Sequence, residues 1–450
     1  MLQKLFSKSE FLKNVLTLTT GATLSSAIPI LAYFFLTRIY TPSDFGTLSV
    51  FISIYSILAV IGTGKYELAI PLPEKKEDAV YLVFLCLILN TLFSVFLLLI
   101  VFLFYDYIVF LIDNNDLKKW IYFFPVLTFL VGTYQTFYYY NLRVKKFKEI
   151  SKSKIYKSLS LSFSQIVLGL FKFTSFGLIL GNIISNFSAN INLIKTFFVN
   201  EGLYSYKQKT KKDFKLVAKE YINFPKFTLV STLLNTASVQ IPILLFSALF
   251  TTSFVGQFSI SHKVLSMPMI LLGGAIGQVY YQRITDQEFV SDEYLKHITW
   301  KLYKILLLVG ILPLSIIFFF GDSIFVFAFG SKWLLAGEYA KPISIWILFV
   351  FISSPLSSML FAKGFQKQAL LFQIFVFISR VLIIYICAKI GEDELSMVNY
   401  YSVVGFLLYL FLVFYVFYKI KIPIIKVFKF TVIVFLAVFS LLKILKLIIL

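Results

Sequence analysis

The chain is short of the residues that build metal centres, disulfide frameworks and catalytic constellations. Two cysteines and two histidines occur in 450 residues. Cys86 and Cys387 both fall inside apolar runs and imply neither a disulfide nor a metal site. His262 and His297 lack metal-ligand spacing, and no GxxxxGK[ST] phosphate loop is present. The sequence therefore implies no metal, no cofactor and no ATP hydrolysis of its own. Energy for any transport would come from an ion gradient, the membrane potential or consumption of product downstream. Polar stretches are equally scarce. The longest, Asn200–Lys226, reads as a loop, so no soluble domain is encoded. Acidic residues number 22 against 42 lysines and arginines, a net charge of +20.

What the chain has instead is apolar length. It is 59% hydrophobic and 14% charged, with a mean hydropathy of +0.86. A helix needs about 20 apolar residues to cross a hydrocarbon core of about 30 Å. Runs of that length recur near 14–37, 45–70, 79–105, 120–141, 155–174, 176–199, 224–249, 254–282, 300–320, 342–362, 368–389 and 397–418. They are too long and too continuously apolar for the alternating strands of a membrane barrel, which run to about 10 residues. The expectation is an all-α polytopic inner-membrane protein of twelve spans. Phe430–Leu442 is apolar too, but Lys443 and Lys446 follow it. That leaves the tail open between a thirteenth span and a helix lying in the interface.

The excess of positive charge has an orientation in it. Alternate connections carry 29 lysines and arginines on one side and 7 on the other. The positive-inside rule places the richer set, which includes the N-terminus and residues 141–157, in the cytoplasm. That disposition, rather than nucleic acid, accounts for the basic charge. Lys4, Lys8 and Lys13 precede the first span with no small-residue cleavage site after it, so the segment reads as a helix and not a removed signal peptide.

An internal repeat suggests how the spans are organised. IPIL occurs at Ile28–Leu31 and again at Ile241–Leu244, and Gly46 and Gly256 follow, at offsets of 213 and 210 residues. Six spans separate the copies, so they share orientation. Two parallel six-helix lobes around a central cavity follow from this, an arrangement of transporters. The lobes would cover 1–200 and 227–420, joined by the basic loop 201–226 and followed by a tail at 421–450.

Charges inside the spans point to the ligand. A cation held near the bilayer centre costs roughly 2.5–3.5 kcal/mol on insertion scales. Lys263 lies about nine residues into its span, near the midplane, and Arg380 is also central. His262 adjoins Lys263, diverging from it by about 100° around the helix. Arg38 and Lys65 lie nearer the faces, where snorkelling competes with a role in the cavity. Only Glu67 is a clear carboxylate within a span, and Lys65, two residues away, would not share its face on a helix. Buried cations with so few carboxylates favour an anion, phosphate above all, and disfavour a cationic drug. Asn182, Asn186 and Asn190 form a stripe at i, i+4, i+8, which reads equally as sugar-contacting cavity lining or as glue between helices.

Several segments carry a family resemblance. RIYTPSDFG (Arg38–Gly46), KYELAIPLP (Lys65–Pro73), NLRVKKFKEIS (Asn141–Ser151) and NFPKF (Asn223–Phe227) resemble signatures of bacterial polysaccharide-biosynthesis flippases. So does Ile241–Arg283, with VGQFSISHKVLSMP and GAIGQVYYQR. The family is the O-antigen, Wzx-type branch of the multidrug/oligosaccharidyl-lipid/polysaccharide exporter superfamily. The resemblance implies twelve spans in two lobes, a cationic cavity and alternating access. It also implies passage of an undecaprenyl-pyrophosphate-linked oligosaccharide from the cytoplasmic to the outer face of the inner membrane. A polysaccharide polymerase and glycosyltransferases would be its neighbours. The rival readings are a flippase for a lipid-linked peptidoglycan precursor, a membrane polymerase or ligase, and a non-catalytic scaffold.

Overall fold

The computed structural model describes residues 2–112, 118–201, 211–268, 273–285 and 291–449. Those residues form helices and short connections, with no strand among them. Ten helical segments among the described residues are long and apolar enough to cross a membrane. In lipid only a helix or a closed barrel satisfies its own backbone, so the protein is a polytopic α-helical membrane protein. The chain divides into two compact units, Met1–Ala248 and Leu249–Leu450. Lys207 and Lys209 of the basic connection between the expected lobes lie outside the described residues.

The first unit comprises α1 (Leu2–Ile39), α2 (Pro42–Gly62), α3 (Lys76–Leu103), α4 (Tyr105–Ile112), α5 (Phe123–Arg143), α6 (Phe147–Leu170), α7 (Thr174–Glu201), α8 (Lys211–Glu220) and α9 (Leu229–Leu249). The turn from α1 to α2 shows what the RIYTPSDFG segment does. Thr41 and Asp44 form a reciprocal capping box, with Pro42 at the first helical position. This satisfies backbone donors that the helix start would leave unpaired. Tyr40 is buried beneath the turn, and its hydroxyl donates to the Gln165 carbonyl on α6 at 2.7 Å. Gly169 makes room for the ring, since a Cβ there would lie 2.7 Å from it.

Helix α6 is too rich in serine and lysine to qualify as a span by hydropathy alone, yet it sits between α1 and α7. Ser158 donates to the Ser25 carbonyl on α1 at 2.6 Å. Ser153 donates to Ala189 on α7 at 2.6 Å, and Gln165 to Leu178 at 2.9 Å. Gly21 faces Ser151 so closely that a Cβ would meet it at 2.6 Å. Small residues admit close approach of helix backbones where no hydrophobic force distinguishes helix from lipid.

The second expected span ends early. Helix α2 stops at Gly62, Lys65 takes a left-handed conformation (φ 63°), and a 3₁₀ turn follows over Tyr66–Ala69. Lys65 and Glu67 would diverge on a regular helix, but here they pair at 3.1 Å. Glu67 is 1% exposed and also accepts from the Thr63 hydroxyl at 2.6 Å. The expected separation is thus corrected by the loss of helical geometry at Gly64–Lys65. Arg143, at the end of α5, donates to the carbonyls of Ile70 and Pro71 at 3.4 and 3.2 Å, and to those of Glu74 and Lys75 at 3.4 Å. Two of the signature segments are therefore partners in one turn clamp.

The second unit comprises α10 (Thr252–Pro268), α11 (Gly274–Thr285), α12 (Asp292–Phe329), α13 (Leu334–Leu356), α14 (Ser358–Ala362), α15 (Gln366–Ile390), α16 (Glu394–Lys419) and α17 (Ile424–Ile449). Of the span expected over 254–282, the described residues form α10 and α11. Its middle, 269–272, lies outside the described residues. Helices α12 and α13 touch backbone to backbone, where a Cβ on Gly337 would lie 2.6 Å from Asp322 Cα. Lys341 closes that contact on Asp322 at 2.9 Å.

Helix α17 holds the tail. Tyr303 and Thr431 share a hydroxyl–hydroxyl bond, and Lys446 donates to the Phe319 carbonyl at 3.0 Å. Sixteen residues separate the α12 partners and fifteen the α17 partners, both counted upward (319 minus 303, 446 minus 431). So α17 runs beside α12 in the same direction for about 23 Å, at 1.5 Å per residue. A helix lying in the interface would cross its neighbours rather than follow one along its length.

Two outcomes follow. With Cys86 and Cys387 replaced, a cysteine at Pro423 and one appended after Leu450 should label from opposite sides of the membrane with an impermeant maleimide. Labelling from one side would rule α17 out as a span. Separately, Lys65→Met strands a buried carboxylate and should destabilise the detergent-solubilised protein by about 3–5 kcal/mol. Adding Glu67→Gln should recover much of that loss in thermal denaturation.

Candidate anion site

The most unusual side chain in the second unit is Arg380, midway along α15 and only 9% exposed. Its guanidinium lies among rings. Its Cζ is 5.2 Å from the centroid of Trp346 on α13, and 6.0 Å from those of Tyr401 and Tyr409 on α16. Each such contact is worth about 0.5–2 kcal/mol, the upper end applying when water is excluded. The rings are themselves fixed. Trp346 and Tyr401 meet edge to face at 5.3 Å. Gly405 presses on the indole, where a Cβ would lie 2.7 Å from Trp346.

Helix α10 closes the other side. Its His262 ring is 5.3 Å from Trp346 and 6.0 Å from Phe258, which in turn lies 5.9 Å from Tyr401. Two polar residues hold α10 in register. Gln257 donates to the Lys332 carbonyl at 2.8 Å and accepts from the Ala336 amide at 3.0 Å, while Ser261 donates to the Ala336 carbonyl at 2.6 Å. At the helix ends, Glu394 accepts from Thr251 at 2.7 Å and from Tyr339 at 2.9 Å. The frame around His262 is therefore tied at both α13 and α16. Lys263, half-buried, adjoins it, and both Lys263 and Arg380 lie within electrostatic reach of the imidazole.

Positive charge accumulates on α10 and α15. Helices α10 and α15 carry no carboxylate at all. Two donors in the cluster, Arg380 Nε and Trp346 Nε1, are buried and have no hydrogen-bond partner among the described residues. Leaving a buried donor unpaired costs about 1–3 kcal/mol, more when it is charged. A site that retains two such donors side by side is prepared for an acceptor, and an anionic one would also answer the charge. On the other side of the same helices lies a cavity of about 600 Å³, lined by Phe349, Phe406, Phe435 and other apolar groups. Ser402, next to Tyr401, is among the few polar residues that reach it.

The other candidates from the sequence lie in the first unit. Arg38 is exposed at the end of α1, donating to the Phe34 carbonyl of its own helix at 2.6 Å. Lys65 is committed to Glu67. The asparagine stripe is buried. Asn182 and Asn186 donate to carbonyls one turn back, and Asn190 donates both to Asn186 at 2.8 Å and across to Leu130 on α5 at 3.0 Å. Asn190 thus ties α7 to α5. Of the candidates, then, the structure brings His262, Lys263 and Arg380 together.

Sequence reasoning missed the aromatic partners and one cation. Trp346, Tyr401 and Tyr409 are single aromatic positions in a chain with 84 phenylalanine, tyrosine and tryptophan residues (53, 27 and 4). Nothing in their spacing singles them out. By sequence Lys157 belongs to the cytoplasmic connection at 141–157, but α6 begins at Phe147 and carries it ten residues inside.

This is a polytopic helical membrane fold, and the comparisons with known proteins agree. The chain matches the family model described as "Polysaccharide biosynthesis protein" over residues 35–338, more than half its length. It belongs to that family. No curated protein matches it in sequence. Among solved structures it is similar to an inward-facing multidrug resistance MATE transporter of the MOP superfamily, at TM-score 0.66 and 13% identity, covering 90% of this chain and 94% of that one. It is similar to the lipid II flippase MurJ in an inward closed conformation, at TM-score 0.61 and 17% identity, covering 97% and 92%. A MOP superfamily transporter from Pyrococcus furiosus, reported to have a binding pocket of reversed polarity, matches at TM-score 0.60 and 13% identity, covering 91% and 96%. At these identities the likeness is one of fold.

The frame around Arg380 gives a direct test. Gly405→Val should push the Trp346 indole off the guanidinium. Tryptophan emission should shift, with far-ultraviolet dichroism unchanged. An unaltered emission spectrum would show that the indole does not depend on Gly405 for its place.

Proposed function

We propose that the protein is a flippase for an undecaprenyl-pyrophosphate-linked oligosaccharide, an O-antigen or related repeat unit, carried from the cytoplasmic to the outer face of the inner membrane. The observation that carries this reading is Arg380, a buried cation with no ion pair among the described residues, whose Nε and the neighbouring Trp346 Nε1 are both unpartnered donors there. A diphosphate supplies both the charge and the acceptors that this cluster lacks. Lys263 offers a second positive charge, a point charge on a four-carbon stem. The apolar cavity beside α17 suits a segment of isoprenoid. Membership of a polysaccharide biosynthesis family supports a saccharide cargo. The lysine asymmetry supports a cytoplasmic N-terminus, and the IPIL repeat supports two parallel lobes with alternating access. A polymerase and glycosyltransferases would act before and after it.

Reconstituted vesicles provide the test. The cargo is an undecaprenyl-diphosphate oligosaccharide on the inner leaflet, and appearance outside is read by susceptibility to an added glycosidase. Arg380→Gln removes a charge-assisted contact of about 1.5–3 kcal/mol and should slow translocation roughly 10- to 100-fold. Translocation at the wild-type rate in that variant, or equal transport of an uncharged prenol-linked sugar, would sink the reading.

A further inference from the structure

Lys157 is not alone in the first unit. Its ammonium lies 5.0 Å from the Tyr134 ring centroid, and that of Lys154 lies 5.5 Å from Tyr138. Lys154 and Lys157 are three residues apart on α6, and Tyr134 and Tyr138 four apart on α5, so each pair shares a helix face. The hairpin is antiparallel, and the contacts form a two-rung ladder. Tyr134 stands 11 residues from the start of α5 and 9 from its end, about 16 and 14 Å. The upper rung is therefore deep in the bundle, beyond the reach of an ordinary snorkelling lysine.

Neither lysine makes an ion pair among the described residues. The nearest carboxylate in sequence, Glu149, is taken by Lys152 at 3.1 Å and Asn192 at 2.7 Å. Among the described residues both ammoniums rest only on ring faces, contacts that are weaker than a charge-assisted bond to phosphate. To bind an anion they need leave no carboxylate behind. The axial offset between the two lysines is about 4.5 Å, which suits two linked phosphoryl groups better than one carboxylate.

The internal repeat gives an independent reason to attend to this place. Tyr134 and Trp346 are 212 residues apart (346 minus 134), inside the 210–213 offset of the IPIL and glycine copies. In each unit an aromatic residue in the middle of one long helix faces a cation on the next long helix. In the first unit the pair is Tyr134 and Lys157, and in the second it is Trp346 and Arg380.

We infer that Lys154 and Lys157, backed by Tyr138 and Tyr134, form a second diphosphate station, within the first unit, for the same lipid-linked head group. This rests on the diphosphate reading of Arg380. Farnesyl diphosphate, titrated calorimetrically into the purified full chain in detergent, separates the two claims. Wild type should bind two equivalents. Lys154→Gln with Lys157→Gln should bind one, Arg380→Gln should bind one, and the triple variant none. Lys154→Arg with Lys157→Arg, which keeps the charge, should retain two and guards against misfolding. A wild-type stoichiometry of one, lost only in Arg380→Gln, overturns the second station and leaves the first. Two equivalents persisting in the double glutamine variant also overturns it. No binding in wild type, or equal binding of farnesol, overturns both.

Discussion

Close approach of helix to helix through small residues and side-chain donors underlies everything else in this protein. In lipid, apolar side chains gain nothing by leaving the solvent, so packing density and polar cross-links must hold the helices. The α1–α6–α7 layer does this with Gly21, Ser25, Ser158, Ser153 and Gln165. In the second unit, Gly321, Gly337 and Gly405 bring α12, α13 and α16 into backbone or ring contact. Gln257 and Ser261 bond α10 to α13. Once these contacts set the helix register, the polar and charged positions on the same helices are placed without further choice.

That placement explains how uncompensated cations persist inside the units. Their charges are not neutralised. They are held against the negative faces of aromatic rings, which soften desolvation without supplying a full counter-charge. Arg380 gains three such faces and Lys157 one. A carboxylate partner would give a tighter resting state and a poorer anion site, because the pair would have to open first. Glu67 and Lys65 show the alternative within the same chain: a closed ion pair at a turn, with structural consequences.

Much of this was legible in the sequence, and the physical grounds of the rest are identifiable. Helical class and nearly all helix positions follow from apolar run length, and Arg380 from its isolation among apolar neighbours. Boundaries failed where local chemistry overrode hydropathy. Gly64 and Lys65 ended α2 early, and α6 began well before its lysines ran out. The resemblance drew attention to Arg38 and Lys65 as signature positions. The contacts show a neighbouring reason for those signatures, a capping box at Thr41 and a carbonyl clamp at Arg143. The aromatic partners were illegible for a different reason. In a composition so rich in rings, which ring faces a cation is decided by helix packing alone.

Lys443 and Lys446 give the tail a dependence in time as well as in space. An apolar helix carrying two lysines near one end is a reluctant autonomous passenger into hydrocarbon. The α12 surface provides what it lacks: the Tyr303 hydroxyl for Thr431, rings for Phe439, and the Phe319 carbonyl for the Lys446 ammonium. That surface exists only once α12 has been made and folded. During biosynthesis the last helix would therefore settle by docking on a finished neighbour. A lesion in α12 would then surface first as a failure to retain the helix synthesised about a hundred residues after it.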